Sequence, residues 1–557
     1  MDKILKKPFL AISLLAVLCA YLFFFKLGGM ALTDPDETFY AQTAKEMLNK
    51  GDWTTPYLYG NPQFEKPIMI YWLVEASYKI FGVNETAARL PSAVFGLLGV
   101  IAIYLLGKLL FGRRAGFLSA IILATNVEYV IISRACITDM VLATFMLLGV
   151  LFFFYGYLKE RGYFYILAST AFALAVLTKG PIAIVLPAVV FVIFLLFTKD
   201  AGRLKKIPLG WCLLIFILVA APWYILTYRL HGKEFIDAFF GFHNITRFMQ
   251  SEHKTGSQLY YNIPIVFGGF FPWSVFLPFG FWYIFKKSVT GNAAERSKYI
   301  FILAWFFVIF IFFSASSTKL PTYIFPSFLS LALIVGVLWD DFLSGSGRLS
   351  GAVRQLVSGV KISYYFLIAA VIAGAIGAWL FVSFDMPEIL AGVVVSSLFL
   401  VFGFSIAMTA FIKKRYVAAF FFVVYSLVIF LLPVNSLILP EVEQYETSKK
   451  IAGILSSMMK TGEGLGAQGN YLPGLAFYMD KTAIDLDKHQ AMLNFLNSPG
   501  RVWAVIKEKN QRNLYDPVIN SEYIKPTYLI YSIGKRAIVT NSVPEGVPYL
   551  VEMKAAK

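Results

Sequence analysis

About thirteen apolar blocks of roughly 17 to 25 residues recur along this chain, each long enough at 1.5 Å per residue to cross a hydrocarbon core about 30 Å thick as a helix. Backbone in lipid has to satisfy its own hydrogen-bonding groups, so blocks of this length without strand-like alternation predict a polytopic α-helical membrane protein. Composition agrees, with 58% hydrophobic, 17% aromatic and only 15% charged residues and a mean hydropathy of +0.68. Spans are expected near residues 8–28, 87–111, 115–133, 138–158, 163–179, 180–198, 208–228, 262–285, 299–316, 320–339, 362–384, 389–412 and 416–438.

The net charge of +16 points away from nucleic acid, because Lys and Arg fall in short runs between apolar blocks. With the N-terminus in the cytoplasm, the inner loops contain Lys108/Arg113/Arg114, Lys159/Arg161, Lys199/Arg203/Lys205/Lys206, Lys286/Lys287/Arg296/Lys298, Arg348/Arg354/Lys361 and Lys413/Lys414/Arg415. The opposite loops near 133–138, 178–181, 315–320 and 384–388 carry at most one such residue each, the positive-inside pattern. Lys3, Lys6 and Lys7 precede an apolar run to Phe25 that is long for a signal peptide, and it is read as a retained first span. Cys19, Cys136 and Cys212 lack CxxC spacing, which supports neither a disulfide framework nor a zinc cluster.

An odd number of spans puts the tail outside. The expected organisation is a transmembrane domain over residues 1–438, with long extracytoplasmic loops at 29–86 and 229–261, and a small extracytoplasmic α/β domain over 439–557. Within that tail, RVWAVIKE and TYLIYSI read as strands and Tyr445 to Met459 as a helix. The first loop holds an amphipathic stretch, PIMIYWLVEASYKIFG, suited to the membrane interface, where Tyr71, Trp72 and Tyr78 would meet headgroups. No nucleotide-binding glycine loop is present.

Chemically capable residues collect on the outer face. TDPDETFYAQ places Asp34, Asp36 and Glu37, with Tyr40, just beyond the first span. A solvated acidic turn at a helix N-terminus would carry the same residues. Further charges recur at membrane boundaries: Lys66 in FEKP, Arg89 in ARLPS, Arg134 and Asp139 in SRACITDM, Lys179 in TKGP and Lys319 in TKLPTY, where Tyr323 closes the motif. Any one cation there can simply snorkel, but the set describes an outer-leaflet cavity suited to an anionic lipid headgroup. The second loop, FHNITRFMQSEHKTGSQLYY, adds His243, Arg247, Glu252 and His253. Glu65 and His253 would supply half of a divalent-metal site; HExxH is absent and the sequence itself requires no cofactor.

These motifs carry a resemblance. DPDETFYAQTAKEMLNKGDWTTPYLYGNPQFEKPIMIYW and ETAARLPSAVFG, then ITDM, LTKGP, FHNITRF, PWSVFLP and TKLPTYIFP, resemble the bacterial aminoarabinose lipid A transferase and protein mannosyltransferase group of GT-C glycosyltransferases over most of the membrane region. The resemblance implies a GT-C fold and a bacterial inner-membrane enzyme working at the periplasmic face. Its donor would be undecaprenyl phosphate carrying 4-amino-4-deoxy-L-arabinose, its acceptor lipid A phosphate, and its chemistry inverting. Asp36 matches the first-loop catalytic carboxylate and Asp139 the second acidic position. Glu37, Tyr40, Lys66, Arg89, Arg134, Lys179, Arg247, Lys319 and Tyr323 are expected to bind donor phosphate or substrate, and Glu65 with His253 a metal if one is used. Polyprenyl-linked donors need no nucleotide site outside, in keeping with the missing glycine loop. A monomer suffices. The alternatives are another sugar passed to a glycan or protein, or a flippase, although transporters place binding residues nearer the bilayer midplane.

Overall fold

A computed structural model describes residues 6–198, 206–246, 258–290, 293–345, 351–507, 526–533, 536–544, 546–548 and 551–553. The chain divides into two compact units, one formed by Met1–Leu27, Phe64–Leu73 and Arg89–Val434, the other by Gly28–Gln63, Val74–Ala88 and Asn435–Lys557.

The first unit is helical, and the protein is a multi-pass membrane protein. Among the described residues nine helices are long and apolar enough to span, or up to eleven if two bent pairs each count as one. Those pairs are Arg113–Ala124 with Val127–Ser133, bent by 67°, and Leu259–Gly269 with Trp273–Thr290, bent by 112°. Two shorter apolar helices, Pro8–Phe24 and Ile182–Thr198, fill the remaining expected positions. The two breaks are bonded to each other: Val127 N–H donates to the Phe271 carbonyl at 3.1 Å, and Trp273 Nε1 donates to Thr125 Oγ1 at 2.9 Å. Broken backbone at membrane depth requires such partners, since lipid offers none.

Small residues let spans approach closely. Gly336, in the helix Phe328–Gly345, faces Ser119 of Arg113–Ala124, and a Cβ there would collide with Ser119 Oγ and lie 2.8 Å from the Ser119 nitrogen. Gly336→Ala is therefore expected to destabilise the protein by about 1–3 kcal/mol, read as a lower midpoint of thermal unfolding in detergent.

The segment 229–261 is not an open loop over its first half. The helix Leu209–Phe235 continues into a π-helical stretch, Ile236–Thr246, interrupted at Gly232 by a left-handed φ of 54°. Phe235 and Phe239 are buried and their rings stack 5.7 Å apart, so apolar packing prolongs the helix where length counting ended it.

In the second unit, Asp36–Lys50 forms a helix with Asp36 and Glu37 at its positive end, Lys50 in its last turn and Gly51 (φ 66°) as a left-handed cap. A hairpin of β1 (Tyr57–Leu58) and β2 (Asn61–Pro62) follows. The amphipathic stretch becomes the helix Met69–Phe81, which enters both units. Tyr71 and Tyr78 correct the headgroup expectation: both are buried, because residues 71, 74 and 78 share its inward face, while Ile80 and Phe81 are exposed.

The tail contributes β3 (Gly464–Ala467), β4 (Ile484–Asp485), β5 (Val502–Lys507), β6 (Thr527–Ile533), β7 (Arg536–Thr540) and β8 (Val551–Met553). They form one sheet in the order β4-β3-β5-β7-β6-β8, with β3 parallel to β4 and β5 and the other pairs antiparallel. β5 is apolar without alternation because both its faces are covered. Val502, Ala504 and Ile506 pack with Met492, Leu493 and Leu496, whereas Trp503 and Val505 pack with Ile451, Leu455 and Leu475. The single helix expected over Tyr445 to Met459 is two, Leu439–Glu446 and Lys449–Met458, broken at Thr447 and Ser448.

Candidate functional site

The acidic motif sorts into three different fates. Asp34 is buried to 1% side-chain exposure; its Oδ1 accepts from Thr38 Oγ1 at 3.0 Å, and its Oδ2 accepts from Ser448 Oγ at 2.6 Å and lies 3.5 Å from the Arg536 guanidinium. Burial pushes its carboxyl up to about 6, against the Ser448 hydrogen bond and Arg536, which act to hold it down. Glu37 is also buried, and its Oε2 accepts from Thr33 N–H and Thr33 Oγ1, each at 3.0 Å, closing the turn that enters the helix. Asp36 alone of the three is exposed, in the first helical turn, and Tyr40 stands one turn further on with its ring 5.3 Å from that of Phe39. Asp36 is therefore the carboxylate of the motif that stands at the surface.

In the first unit, Asp139 and Lys179 come together. Asp139 opens the helix Thr138–Lys159 and Lys179 closes Gly162–Lys179; the turn at Glu160 and Arg161 folds the two into an antiparallel hairpin, so both charges sit at one end. Each charge also complements its own helix dipole. Lys179 Nζ lies 2.6 Å from Asp139 Oδ1 and 4.9 Å from the Tyr323 ring centroid, with side-chain exposures of 14% for the lysine and 8% for the aspartate. Lys66 pairs with its neighbour Glu65 at 3.3 Å, and Lys319 is buried.

Arg89 and Arg134 serve the first helix. Arg89 donates to the Leu27 carbonyl at 3.0 Å, and Arg134 donates to the carbonyls of Leu22, Phe25 and Lys26 at 2.9 to 3.2 Å. These acceptors lie in the last turn of the helix and in the turn that follows it, so both arginines have a structural task whatever else they bind. Arg247 and His253 lie outside the described residues, as do Glu252 and any pairing of His253 with Glu65. Among the described residues no three His, Cys, Asp or Glu side chains gather as metal ligands, and Glu65 lies 3.3 Å from the Lys66 ammonium.

Two residues were missed from sequence. Asp34 shares one sequence signature with Asp36 and Glu37, and nothing local reveals that residues more than four hundred positions away bury it. Glu128 sits in the first turn of Val127–Ser133, beside the break, and Gly269 leaves room for its carboxylate. The signal for it was a lone carboxylate inside the apolar block 115–133.

Residues 65–226 match the family described as dolichyl-phosphate-mannose-protein mannosyltransferase. An uncharacterized protein of Aquifex aeolicus is 34% identical over 342 residues, covering 60% of this chain and 73% of that protein. Undecaprenyl phosphate-alpha-4-amino-4-deoxy-L-arabinose arabinosyl transferase 2 of Proteus mirabilis is 30% identical over 327 residues, or 58% of each chain. The crystal structure of ArnT from Cupriavidus metallidurans bound to undecaprenyl phosphate superposes with a TM-score of 0.76, 23% identity and coverage of 95% of this chain and 98% of that one, a likeness of fold.

Proposed function

The chain belongs to the GT-C glycosyltransferase family of bacterial aminoarabinose transferases and protein mannosyltransferases, and from that premise we propose that it transfers 4-amino-4-deoxy-L-arabinose from undecaprenyl phosphate to a phosphate of lipid A. It does so as a monomer in the bacterial inner membrane, at the periplasmic face. The observation that carries this reading is the Asp139–Lys179 pair under the Tyr323 ring, built from the ends of apolar helices within the segment matched to the mannosyltransferases.

In the proposed reaction an acceptor phosphate oxygen attacks the anomeric carbon from the face opposite the donor phosphate. The bond between that carbon and the donor phosphate oxygen breaks, and the electron pair leaves with undecaprenyl phosphate. The acceptor is already ionised at neutral pH, so Asp36 positions groups of the site and balances the charge of its cations rather than acting as a strong base. Lys66, Lys319 and Arg247 are assigned to the departing lipid phosphate, where positive charge lowers the barrier. Asp139 holds the Lys179 ammonium in place, Tyr323 covers it, and Glu37 keeps the Asp36 turn closed. Glu65 and His253 are the residues that would hold a metal, and no step depends on one.

Donor choice tests this reading. Protein in proteoliposomes, given undecaprenyl phosphate loaded with aminoarabinose or with mannose and a lipid A acceptor, is expected to release free undecaprenyl phosphate from the aminoarabinose donor, as measured by mass spectrometry. Release only from the mannose donor would replace the proposed sugar, and release from neither, with transbilayer movement of the intact donor, would favour a flippase.

A further inference from the structure

We propose that the tail acts on catalysis by positioning the turn that carries Asp36, and that Asp34, gripped by Ser448 and Arg536, is the positioning residue. The inference rests on the proposed function only in taking Asp36 as the catalytic carboxylate.

The tail ties this turn down at successive residues. Ala31 N–H donates to Glu443 Oε1 at 3.2 Å, Leu32 N–H donates to Tyr478 Oη at 2.8 Å, and Asp34 takes the Ser448 hydroxyl at 2.6 Å. Two positions later the chain emerges and Asp36 is exposed. Asp34 links the two sides with its two oxygens: Oδ2 takes the tail, and Oδ1 takes Thr38 Oγ1, in the first turn of the helix that begins with Asp36. Motion of Ser448 is thus passed to the helix start through one side chain. The fit is close, because a Cβ on Gly474 would collide with Asp34 Oδ1 and approach Ser448 Oγ to 2.8 Å.

A buried carboxylate is a costly way to make a merely structural tie, since an amide or hydroxyl of similar shape carries no charge to desolvate. What the carboxylate adds is a response to charge. The charged and titratable groups facing it are Arg536 on β7, whose guanidinium lies 4.7 Å from the Tyr471 ring centroid, and the Tyr59 phenol from the β1–β2 turn. The hydroxyls of Thr38 and Ser448 complete its surroundings.

The pH dependence separates positioning from stability. The Asp34 carboxyl rises from 3.8 to about 6 on folding, so the native state holds this proton more tightly than the unfolded state. This group's contribution to stability therefore falls as pH rises from about 4 to about 6 and is level above that. Positioning runs the other way: below about 6 the carboxylate that answers Arg536 is neutralised and the grip on the turn weakens. Acid should lower turnover while this group favours the fold.

The test uses the full-length protein with Asp34→Asn, alongside Ser448→Ala and Ser448→Thr. At about pH 7.5, D34N is expected to lower kcat by about tenfold or more with donor KM within about twofold, and to lack the acid-side fall in activity near pH 6 that is expected of the wild type. Amide exchange of the peptide spanning residues 31–40 should quicken about tenfold, as expected for lost local protection, with no lower unfolding midpoint; Ser448→Ala should do the same in part, and Ser448→Thr should restore wild-type behaviour. Wild-type kcat, pH profile and exchange in D34N would overturn the proposal. If the wild type transfers none of the sugars tried, exchange alone decides: unchanged exchange overturns the positioning role, and faster exchange supports it and leaves the failure with the proposed function.

Discussion

Asparagine at position 36 is expected to lower transfer by about 10²- to 10⁴-fold while leaving the thermal unfolding profile close to that of the wild type. The two halves of this expectation have separate causes. Asp36 is exposed in the first turn of its helix, where the neutral amide gives up a favourable dipole contact of about 0.3–1 kcal/mol. Asparagine keeps the shape but removes the negative charge that the proposed mechanism sets against the cations of the site. Asp36→Glu should recover little, because the extra methylene moves the carboxylate by more than a reacting geometry tolerates. Transfer rates from reconstituted protein, with unfolding midpoints of the same preparations, decide it; a fully active Asp36→Asn would remove this residue from the mechanism.

The second large effect is at Asp139. The pair it makes with Lys179 is little exposed on either side, so Asp139→Ala leaves an ammonium in a poorly hydrated place and should destabilise the protein by about 3–5 kcal/mol. Replacing both partners, as Asp139→Ala with Lys179→Met, removes the stranded charge and should recover most of that stability, because methionine follows the lysine stem and keeps its packing against Tyr323. Activity should not return with it. A double variant as active as the wild type would make the pair a structural tie, and a single Asp139→Ala variant with unchanged midpoint would show that the ammonium is satisfied elsewhere.

Much of the bundle was legible because a transmembrane helix declares itself by length and hydropathy. Helix ends were less so. The Leu209 helix overran its expected end because Phe235 and Phe239 found aromatic partners, which a hydropathy window does not register. Charge at the membrane boundary was visible, but its use was not. Arg89 and Arg134, expected at the donor phosphate, also hold carbonyls at and beyond the end of the first helix, an obligation set by where that helix stops in space. The acidic motif shows the limit most clearly: three neighbouring carboxylates have one sequence signature, and only contacts with Ser448 and Arg536 separate the buried Asp34 from the presented Asp36. Glu128 escaped because the block around it is apolar enough to read as an uninterrupted span, whereas the chain breaks beside it at Thr125 and Asn126.

The most direct test of the proposed activity is the product itself. Wild-type protein and Asp36→Asn, reconstituted with undecaprenyl phosphate-linked aminoarabinose and lipid A, are compared by the mass spectrum of the recovered lipid A. Lipid A carrying one added aminoarabinose on a phosphate, formed by the wild type and lost in the variant, is the expected result. Unmodified lipid A from well-folded wild-type protein, with the sugar still on its donor or passed to a different acceptor, would contradict the assignment of donor and acceptor.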